Sequence, residues 1–141
     1  MSDTAVHFVI KAHIPDVSAT LFQFSAAKTM YGGKQIRAGD KAFLFASENE
    51  GGPGLIGSAV IVSSTADPKL MEVSRQTPRV TVTARPAAVA RRPLGRAQLK
   101  RFTDWDDGRP ETELNFKLYR QATNKIVGIS QEAASFLESF F

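Results

Sequence analysis

The chain has 141 residues, 43% of them hydrophobic and 23% charged, with no cysteine and a net charge of +4. These values are typical of a globular domain long enough to bury a core, so they exclude a disordered tail and a stapled mini-protein. The lack of cysteine excludes disulfides, thiolate catalysis and cysteine-ligated zinc.

The first half of the chain predicts three strands and one helix. Clusters of β-branched and aromatic residues favour extended backbone. Those clusters are Val6–Ile10, Lys41–Phe45 and Leu55–Ser63. Asp16 is a good N-cap, and the apolar residues after it predict a short helix that runs towards Lys28. Glycine-rich loops are expected at Met30–Lys34 and Glu48–Gly54.

Three further strands and a short helix are predicted in the second half. Arg79–Arg85 and Leu114–Arg120 alternate apolar with polar residues, which indicates half-buried strands. Lys125–Ile129 is expected to form a further short strand or a turn. Between these elements, Pro86–Pro93 is predicted to be a basic connection and Arg96–Phe102 a short helix.

The C-terminal segment is the clearest element. Ser130 is a good N-cap for a final helix. Its apolar residues recur at helical spacing: Ala133, Phe136, Leu137 and Phe140. We expect this helix to cover one opening or face of a sheet, with Phe136–Phe141 folded into the core rather than docked on a partner. The mixed order of elements indicates an α+β domain built on a small, strongly curved sheet or barrel.

No segment suggests a membrane span or a leader. No apolar run approaches the roughly 20 residues that a spanning helix needs. Met1–Thr4 lacks the basic and apolar regions of a signal peptide. We therefore expect a cytoplasmic monomer with one domain over residues 1–141.

The positive charge is concentrated in one segment. Residues 67–101 hold nine basic and two acidic side chains, whereas residues 102–141 hold four basic and seven acidic ones. An arginine-rich excess is typical of a surface that binds nucleic acid, although a solvated basic surface has the same composition. The side chains that we assign to contacts with a nucleic-acid backbone are Lys34, Arg79, Arg85, Arg91 and Arg92. Their contribution to affinity should fall as the salt concentration rises.

Three patterns resemble cofactor or metal motifs without completing them. Gly52–Gly57 matches GxGxxG, but strand-forming residues follow where a dinucleotide site needs a helix. His7 and His13 share neither helical nor strand spacing, so we interpret both as structural. Asp104–Gly108 resembles a calcium loop, but its glycine comes one position early and no glutamate follows at the twelfth position. No cofactor and no metal are expected.

The catalytic signals are weak, which favours a binding module. The chain has no GxSxG elbow. Glu111, Glu113 and Lys117 form a set that a nuclease could use, but carboxylates beside a strand are usually solvated. The aromatic side chains that could stack on a base are Phe45, Trp105 and Tyr119. Of these, Phe45 fits a core position better.

Two segments resemble the EVE branch of the PUA-like superfamily. Ile36–Phe45 followed by Gly54–Ile61 is similar to that branch's Gly-Asp pair and strand, glycine loop and G-x-A-x-V strand. Asn115–Tyr119 and Gly128–Ser130 are similar to its closing strand and the Gly-Ile turn before a last helix. The resemblance covers the first strand and the chain from about residue 36 onward. It implies a pseudo-barrel of five or six strands with short helices packed around it.

The same resemblance implies nucleic-acid binding, because related domains read methylated adenine in RNA or modified cytosine in DNA. It implies a base pocket at the barrel mouth, formed by the end of the second predicted strand, Trp105 and the outward face of the penultimate strand. By position these residues are Phe45, Ala46, Ser47, Glu48, Asn49, Trp105, Asn115, Lys117 and Tyr119. Asn115 and Gln121 also offer amides suited to a base edge.

One departure from the family pattern and one alternative function remain. The tryptophan-rich first-strand region of EVE domains is missing, and Trp105 is the single tryptophan. The alternative is an ASCH-type nuclease or small hydrolase that uses Lys117 with Glu111 or Glu113 at the same mouth.

Overall fold

The computed structural model describes residues 7–67, 78–120 and 124–141. Within these ranges the strands are β1 (His7–Ala12), β2 (Phe22–Met30), β3 (Lys41–Ala46), β4 (Gly54–Ala66), β5 (Arg79–Val89) and β6 (Lys125–Ile129). The helices are α1 (Arg96–Leu99), α2 (Pro110–Leu118) and α3 (Gln131–Glu138). Two short 3₁₀ turns span Gly33–Gln35 and Glu48–Glu50.

The strands close into a barrel in the order β1-β3-β4-β5-β2-β6. β1 pairs with β3 in parallel and with β6 in antiparallel orientation, and β6 pairs in parallel with β2. The remaining neighbours are antiparallel. The carboxyl ends of β1 and β3 and the amino end of β6 therefore meet at one edge of the barrel, which we call the β3 rim.

Alternation along the strands divides the buried side chains between two apolar clusters. One fills the barrel, and in β1 it includes Phe8 and Ile10. The other lies outside the barrel, where Val9 and Phe43 pack under the helices. A strand that is buried on both faces carries apolar residues at successive positions, which is the pattern of β1 and β3.

Helix α2 is held against the barrel by the outer cluster. Leu114 and Leu118, one turn apart, have no exposed surface. Full burial of each leucine contributes roughly 1.5–3 kcal/mol. A helix of nine residues is marginal alone, so this packing determines where α2 lies.

The helix predicted from Asp16 towards Lys28 is wrong, because most of that segment is β2. Phe22 and Phe24 are buried while Gln23 between them is exposed, which is strand alternation. The Asp16 carboxylate accepts hydrogen bonds from the Ser18 amide and hydroxyl, so it stabilises a turn and does not cap a helix.

The strand predicted at Leu114–Arg120 is also wrong, because α2 occupies most of it. Pro110 at the first helical position and two glutamates in the first turn are helix-start signals. The apolar alternation competes with those signals, and the burial of Leu114 and Leu118 on one helix face decides the outcome. Asn115, Lys117 and Tyr119 therefore do not share the outward face of a strand.

The other elements agree more closely with the sequence. The strands at Lys41–Phe45, Leu55–Ser63 and Lys125–Ile129 are confirmed. β5 continues through Val89, so part of the predicted connection is strand. Pro86 is tolerated there because the pairing of β5 with β2 ends at Ala84.

The C-terminal helix begins as predicted. The Ser130 hydroxyl caps α3 by accepting a hydrogen bond from the Ala133 amide at 3.1 Å. Phe140 is buried in the outer cluster, and the Phe141 ring lies 5.9 Å from that of Phe43. The terminal phenylalanines therefore fold back onto the barrel. The α+β barrel with short helices that the sequence predicts is confirmed.

Candidate functional site

Five polar side chains meet at the β3 rim. Ser47 directly follows β3, and its amide donates to the Ala12 carbonyl at the end of β1. The five residues, which we call the mouth cluster, are Lys11, Ser47, Glu48, Arg96 and Tyr119. They come from β1, the 3₁₀ turn after β3, the start of α1 and the end of α2. The barrel thus assembles distant parts of the chain into one polar site.

The Glu48 carboxylate is the centre of this cluster. The Tyr119 hydroxyl donates to it, at 3.0 and 3.1 Å from the two oxygens, and the Arg96 amide donates to Oε2 at 2.7 Å. A Cβ atom at position 95 would lie 2.5 Å from Oε2, so Gly95 leaves room for the carboxylate. Because an ionised carboxylate has about four acceptor positions, Oε1 keeps capacity for a further donor.

The Tyr119 ring lies between two cations. Lys11 Nζ is 4.9 Å from the ring centroid, and the Arg96 guanidinium is 5.4 Å from it. Burial and the neighbouring Glu48 carboxylate raise the pKa of Tyr119 well above its usual value. Tyr119 therefore remains a neutral hydrogen-bond donor that fixes the position of Glu48.

Two lysines of the β3 rim are buried side by side. Lys11 and Lys125 are each 1% exposed and face each other across the β1–β6 pair. Burial lowers the pKa of Lys11, and the Glu48 carboxylate opposes that shift. Burial, with the adjacent Lys11, lowers the pKa of Lys125 to about 8. The β3 rim consequently holds positive charge in a poorly solvated position.

Ser47 adds a hydroxyl group without an internal partner. Its side chain is 1% exposed, and Oγ has no hydrogen-bond partner among the residues that the structure describes. A buried hydroxyl in this state costs about 1–3 kcal/mol relative to a satisfied one. It is suited to donate to, or accept from, a ligand that enters the mouth cluster.

The structure separates the residues of the predicted pocket. Ser47, Glu48 and Tyr119 lie together in the mouth cluster. Phe45 is fully buried in the outer cluster, so its ring presents no free face. Asn115 is buried, and its amide donates to the Phe102 carbonyl at 3.0 Å, which makes it a connection between α2 and the loop after α1. Gln121 lies outside the described residues.

Trp105 and Lys117 border a separate cavity of about 410 Å³. Trp105 is 45% exposed and meets Phe116 edge to face, with ring centroids 5.3 Å apart. The Arg120 guanidinium lies 4.4 Å from the Phe116 centroid. The lining residues are Trp105, Asp106, Gly108, Arg109, Thr112, Glu113, Phe116 and Lys117. Trp105 therefore does not complete an aromatic cage around the mouth cluster.

The carboxylate and lysine set of the nuclease alternative has a bracing role. Glu113 accepts hydrogen bonds from the Ser130 amide, the Ser130 hydroxyl and Lys117 Nζ. Lys117 Nζ also donates to the Gly128 carbonyl at 2.8 Å. These contacts join α2 to β6 and α3, and they do not favour a hydrolytic role.

The five cations assigned to backbone contacts have different surroundings. Arg79 donates to the Ala26 carbonyl, and Arg92 donates to the Ser139 carbonyl and lies over the Phe140 ring. Arg92 therefore helps to hold the C-terminal segment. The side chains of Lys34, Arg85 and Arg91 are exposed. Lys69 and Arg75, which add to the charge of the same segment, lie outside the described residues.

Sequence reasoning missed Lys11 and Lys125. Each lies at the end of an apolar strand segment, where a lysine is normally expected to reach solvent. The strand pairing that brings them together joins opposite ends of the chain. Arg96 was recognised as part of the basic segment but not as a neighbour of Glu48.

Two classes of feature are absent from the described ranges. No group of three or more histidine, aspartate or glutamate side chains there could hold a metal ion. No helix in the same ranges has the length and apolarity to cross a membrane.

A closed barrel of six strands, covered on one side by short helices with the last at the C-terminus, matches the PUA-like small-barrel fold. The DUF55 domain of human thymocyte nuclear protein 1 is similar to this chain, with a TM-score of 0.65 at 18% identity over 94% of this chain and 96% of that one. The human THYN1 protein in complex with DNA containing 5-methylcytosine gives a TM-score of 0.63 at 15% identity, covering 95% of this chain and 96% of that one.

A hypothetical protein from Leishmania major has a TM-score of 0.61 at 16% identity, over 96% of this chain and 94% of that one. No protein-family model matches the chain, and no curated protein matches its sequence. The structural similarities therefore establish the fold, and they confirm the fold that the sequence resemblance implied.

Proposed function

We propose that the chain is a nucleic-acid-binding module that reads a base in the mouth cluster, with cytosine modified at its 5-position as the first candidate. The observation that carries the proposal is the buried Ser47 hydroxyl without a hydrogen-bond partner among the described residues, followed in the chain by Glu48, whose carboxylate keeps acceptor capacity on Oε1. A carboxylate is suited to accept from the exocyclic amine of cytosine. A neighbouring hydroxyl can bond to another polar atom of the base edge.

We propose DNA as the nucleic acid, and the fold comparison and the charge of the chain support this choice. The similar human THYN1 protein has been observed with DNA that contains 5-methylcytosine, which favours DNA over RNA. Base readers of this kind take the target out of the stack, so they need cations near the flanking phosphates. Exposed Lys34, Arg85 and Arg91 are available for that contact. We propose that the chain acts as a monomer.

Binding can be tested by fluorescence anisotropy with labelled oligonucleotides. The probes share one sequence with a central cytosine or 5-methylcytosine, as single strands, duplexes and RNA, at two salt concentrations. Glu48→Gln keeps the size of the side chain but removes its charge. We expect it to weaken binding of the preferred probe about 10- to 100-fold, the discrimination that one well-placed base contact provides.

Glu50→Gln is the matched control, because Glu50 is exposed in the same 3₁₀ turn. Thermal melting should show that both variants are folded. The proposal is wrong if the unmodified chain binds no probe at low salt. It is also wrong if the two variants lose affinity equally, since Glu48 would then act only through its charge at a distance.

A further inference from the structure

Two exposed aromatic side chains meet a third on α2. Trp105 is 45% exposed and Tyr31 is 46% exposed. Both rings contact Phe116, with ring centroids 5.3 Å apart for Trp105 and 6.2 Å apart for Tyr31. We call these three residues the aromatic strip. Exposed aromatic surface that is grouped in this way commonly marks a binding site, because an isolated patch of this kind is unfavourable in water.

The backbone holds both exposed rings in place. In the loop that carries Trp105, the Asp107 carboxylate accepts hydrogen bonds from the Arg109 amide at 2.9 Å and from the Thr112 hydroxyl at 3.0 Å. Tyr31 has a φ of 54°, a left-handed conformation that residues with a side chain rarely adopt. The exposure of the two rings is therefore built into the fold. A preformed site of this kind binds its ligand without the cost of ordering these segments.

The cavity of about 410 Å³ beside α2 offers both a stacking face and polar groups. Its volume lies within the range of small-ligand sites. Trp105 and Phe116 supply aromatic surface, Asp106 a carboxylate that accepts hydrogen bonds, and Arg109 a guanidinium that donates them. A nucleobase fits this combination, because it is a planar ring with donors and acceptors on its edge.

The charges around the aromatic strip favour a nucleotide over a cationic ligand. The Arg120 guanidinium lies 4.4 Å from the Phe116 centroid and 5.4 Å from that of Trp105, and Lys117 Nζ lies 5.0 Å from that of Tyr31. These cations would repel a ligand such as a methylated lysine. Arg120 is exposed and forms no ion pair within the described ranges, so it is available to a phosphate.

Helix α2 connects this cavity to the mouth cluster. Phe116 precedes Tyr119 by three residues, and helical residues at that spacing have Cβ atoms roughly 5–6 Å apart. We propose that the cavity holds the base next to the one read in the mouth cluster, stacked on Trp105 with its phosphate towards Arg120. This inference rests on the proposed function. The Asp106 carboxylate repels a phosphate, so the base and not the backbone enters the cavity.

The first experiment uses the intrinsic fluorescence of the protein. Trp105 is the single tryptophan, so the emission reports on this cavity alone. The preferred probe is prepared with an abasic residue in place of the base on either side of the target base. The complete probe should quench the emission of Trp105. One of the two abasic probes should lose most of that quenching and bind about tenfold more weakly, a factor that one stacked base can provide.

Two substitutions of Trp105 separate stacking from apolar contact. Trp105→Phe keeps an aromatic face, whereas Trp105→Leu keeps an apolar side chain without one. In anisotropy titrations Trp105→Phe should stay within about threefold of the unmodified affinity, and Trp105→Leu should lose about tenfold. In Trp105→Leu the abasic replacement should cost less than about twofold more, because the base has already lost its stacking partner.

A control variant removes apolar surface elsewhere. Val62→Ala trims another exposed side chain, on β4, and should change neither the affinity nor the effect of the abasic residue. Thermal melting verifies that each variant is folded.

Arg120→Met tests the phosphate contact. It should lower the slope of log affinity against log salt by about 0.7–0.9, the value for one phosphate contact. Lys41→Met is the matched control, because Lys41 pairs with Glu138 at the end of β3 that is distant from the β3 rim. This control should leave the slope unchanged.

The outcomes separate the two proposals. If the chain binds the probes but both abasic probes bind as tightly as the complete one, the stacking site is wrong and the reader proposal stands. Equal losses in Trp105→Phe and Trp105→Leu also overturn the stacking site. If Glu48→Gln and Glu50→Gln lose affinity equally while the abasic and Trp105→Leu effects persist, the reader proposal fails and the stacking site stands. A chain that binds no probe overturns both.

Discussion

Replacement of Glu113 by glutamine tests the brace that orients α2 towards the mouth cluster. The Glu113 carboxylate accepts from the Ser130 amide at 2.7 Å, from the Ser130 hydroxyl, and from Lys117 Nζ at 3.0 Å. Burial pushes the pKa of Glu113 up, but the hydrogen bonds from Ser130 and Lys117 outweigh burial and leave that pKa below its ordinary value. Glutamine has the same shape with one acceptor oxygen and no charge.

The expected loss of folding stability follows from the hydrogen bonds that the substitution removes. A hydrogen bond to a charged group contributes about 1.5–3 kcal/mol, and because glutamine keeps one of the two acceptor oxygens, we expect the loss of about one such bond. An unfolding entropy of about 2.1 cal/mol/K per residue over 141 residues converts 1 kcal/mol into about 3 °C. Glu113→Gln should therefore lower the melting temperature by about 5–10 °C at pH 7.

Circular dichroism melts at several pH values provide the assay. Because the folded pKa of Glu113 lies below the unfolded one, its stabilisation is present above about pH 4.5 and is lost as the pH falls. The difference in melting temperature between the unmodified chain and Glu113→Gln should therefore disappear at low pH. Glu111→Gln, in the same helical turn, is the control and should cost at most about 1 kcal/mol. The proposed role of Glu113 is wrong if Glu113→Gln melts within 1–2 °C of the unmodified chain at pH 7. It is also wrong if the difference in melting temperature is the same at pH 3 as at pH 7.

Three more outcomes are expected from the structure. Because the pKa of Lys125 is about 8 when folded and about 10.4 when unfolded, folding stability in urea should rise between those pH values, and Lys125→Met should reduce that rise. Tyr119→Phe removes the hydroxyl donor to Glu48 and should lower the free energy of unfolding by about 1.5–3 kcal/mol in urea. Gly128→Ala would place a Cβ atom 2.2 Å from the Tyr31 carbonyl oxygen and should cost at least about 1–3 kcal/mol in thermal melts.

Matched changes separate these effects from general damage. As the control for Lys125→Met, Lys41→Met should leave the rise in folding stability between pH 8 and 10 unchanged. Tyr31→Phe removes a hydroxyl from a half-exposed ring and should change the free energy of unfolding by less than about 0.5 kcal/mol. Ser135→Ala, on the exposed face of α3, should be similarly neutral. Equal losses in a variant and its control would count against the corresponding contact.

Local patterns in the sequence were sufficient for several elements. Strands β3, β4 and β6 follow from apolar, β-branched runs, and α3 follows from the Ser130 cap and its apolar stripe. These signals involve neighbouring residues, so no knowledge of the fold is needed to read them. The order of the elements indicated a strongly curved sheet or barrel, and the resemblance of Ile36–Phe45 and its surroundings to EVE domains narrowed this to a pseudo-barrel of five or six strands.

Tertiary packing decided the two segments whose local signals conflict. Phe22 and Phe24 fit either a helix or a strand, and the place between β5 and β6 makes them a strand. Leu114 and Leu118 fit alternation as well as helical spacing. Their burial on the outer face of the barrel makes them part of a helix.

The candidate site, too, depends partly on local sequence and partly on tertiary structure. The sequence by itself determined that Ser47, Glu48 and Tyr119 are candidate ligand-binding residues, because their chemistry and the family resemblance are local properties. Only the tertiary structure decided that Lys11 and Lys125 stand beside them, since β1 and β6 come from opposite ends of the chain and pair within the closed barrel. The energy of a buried lysine depends on its spatial neighbours, and strand pairing determines those neighbours.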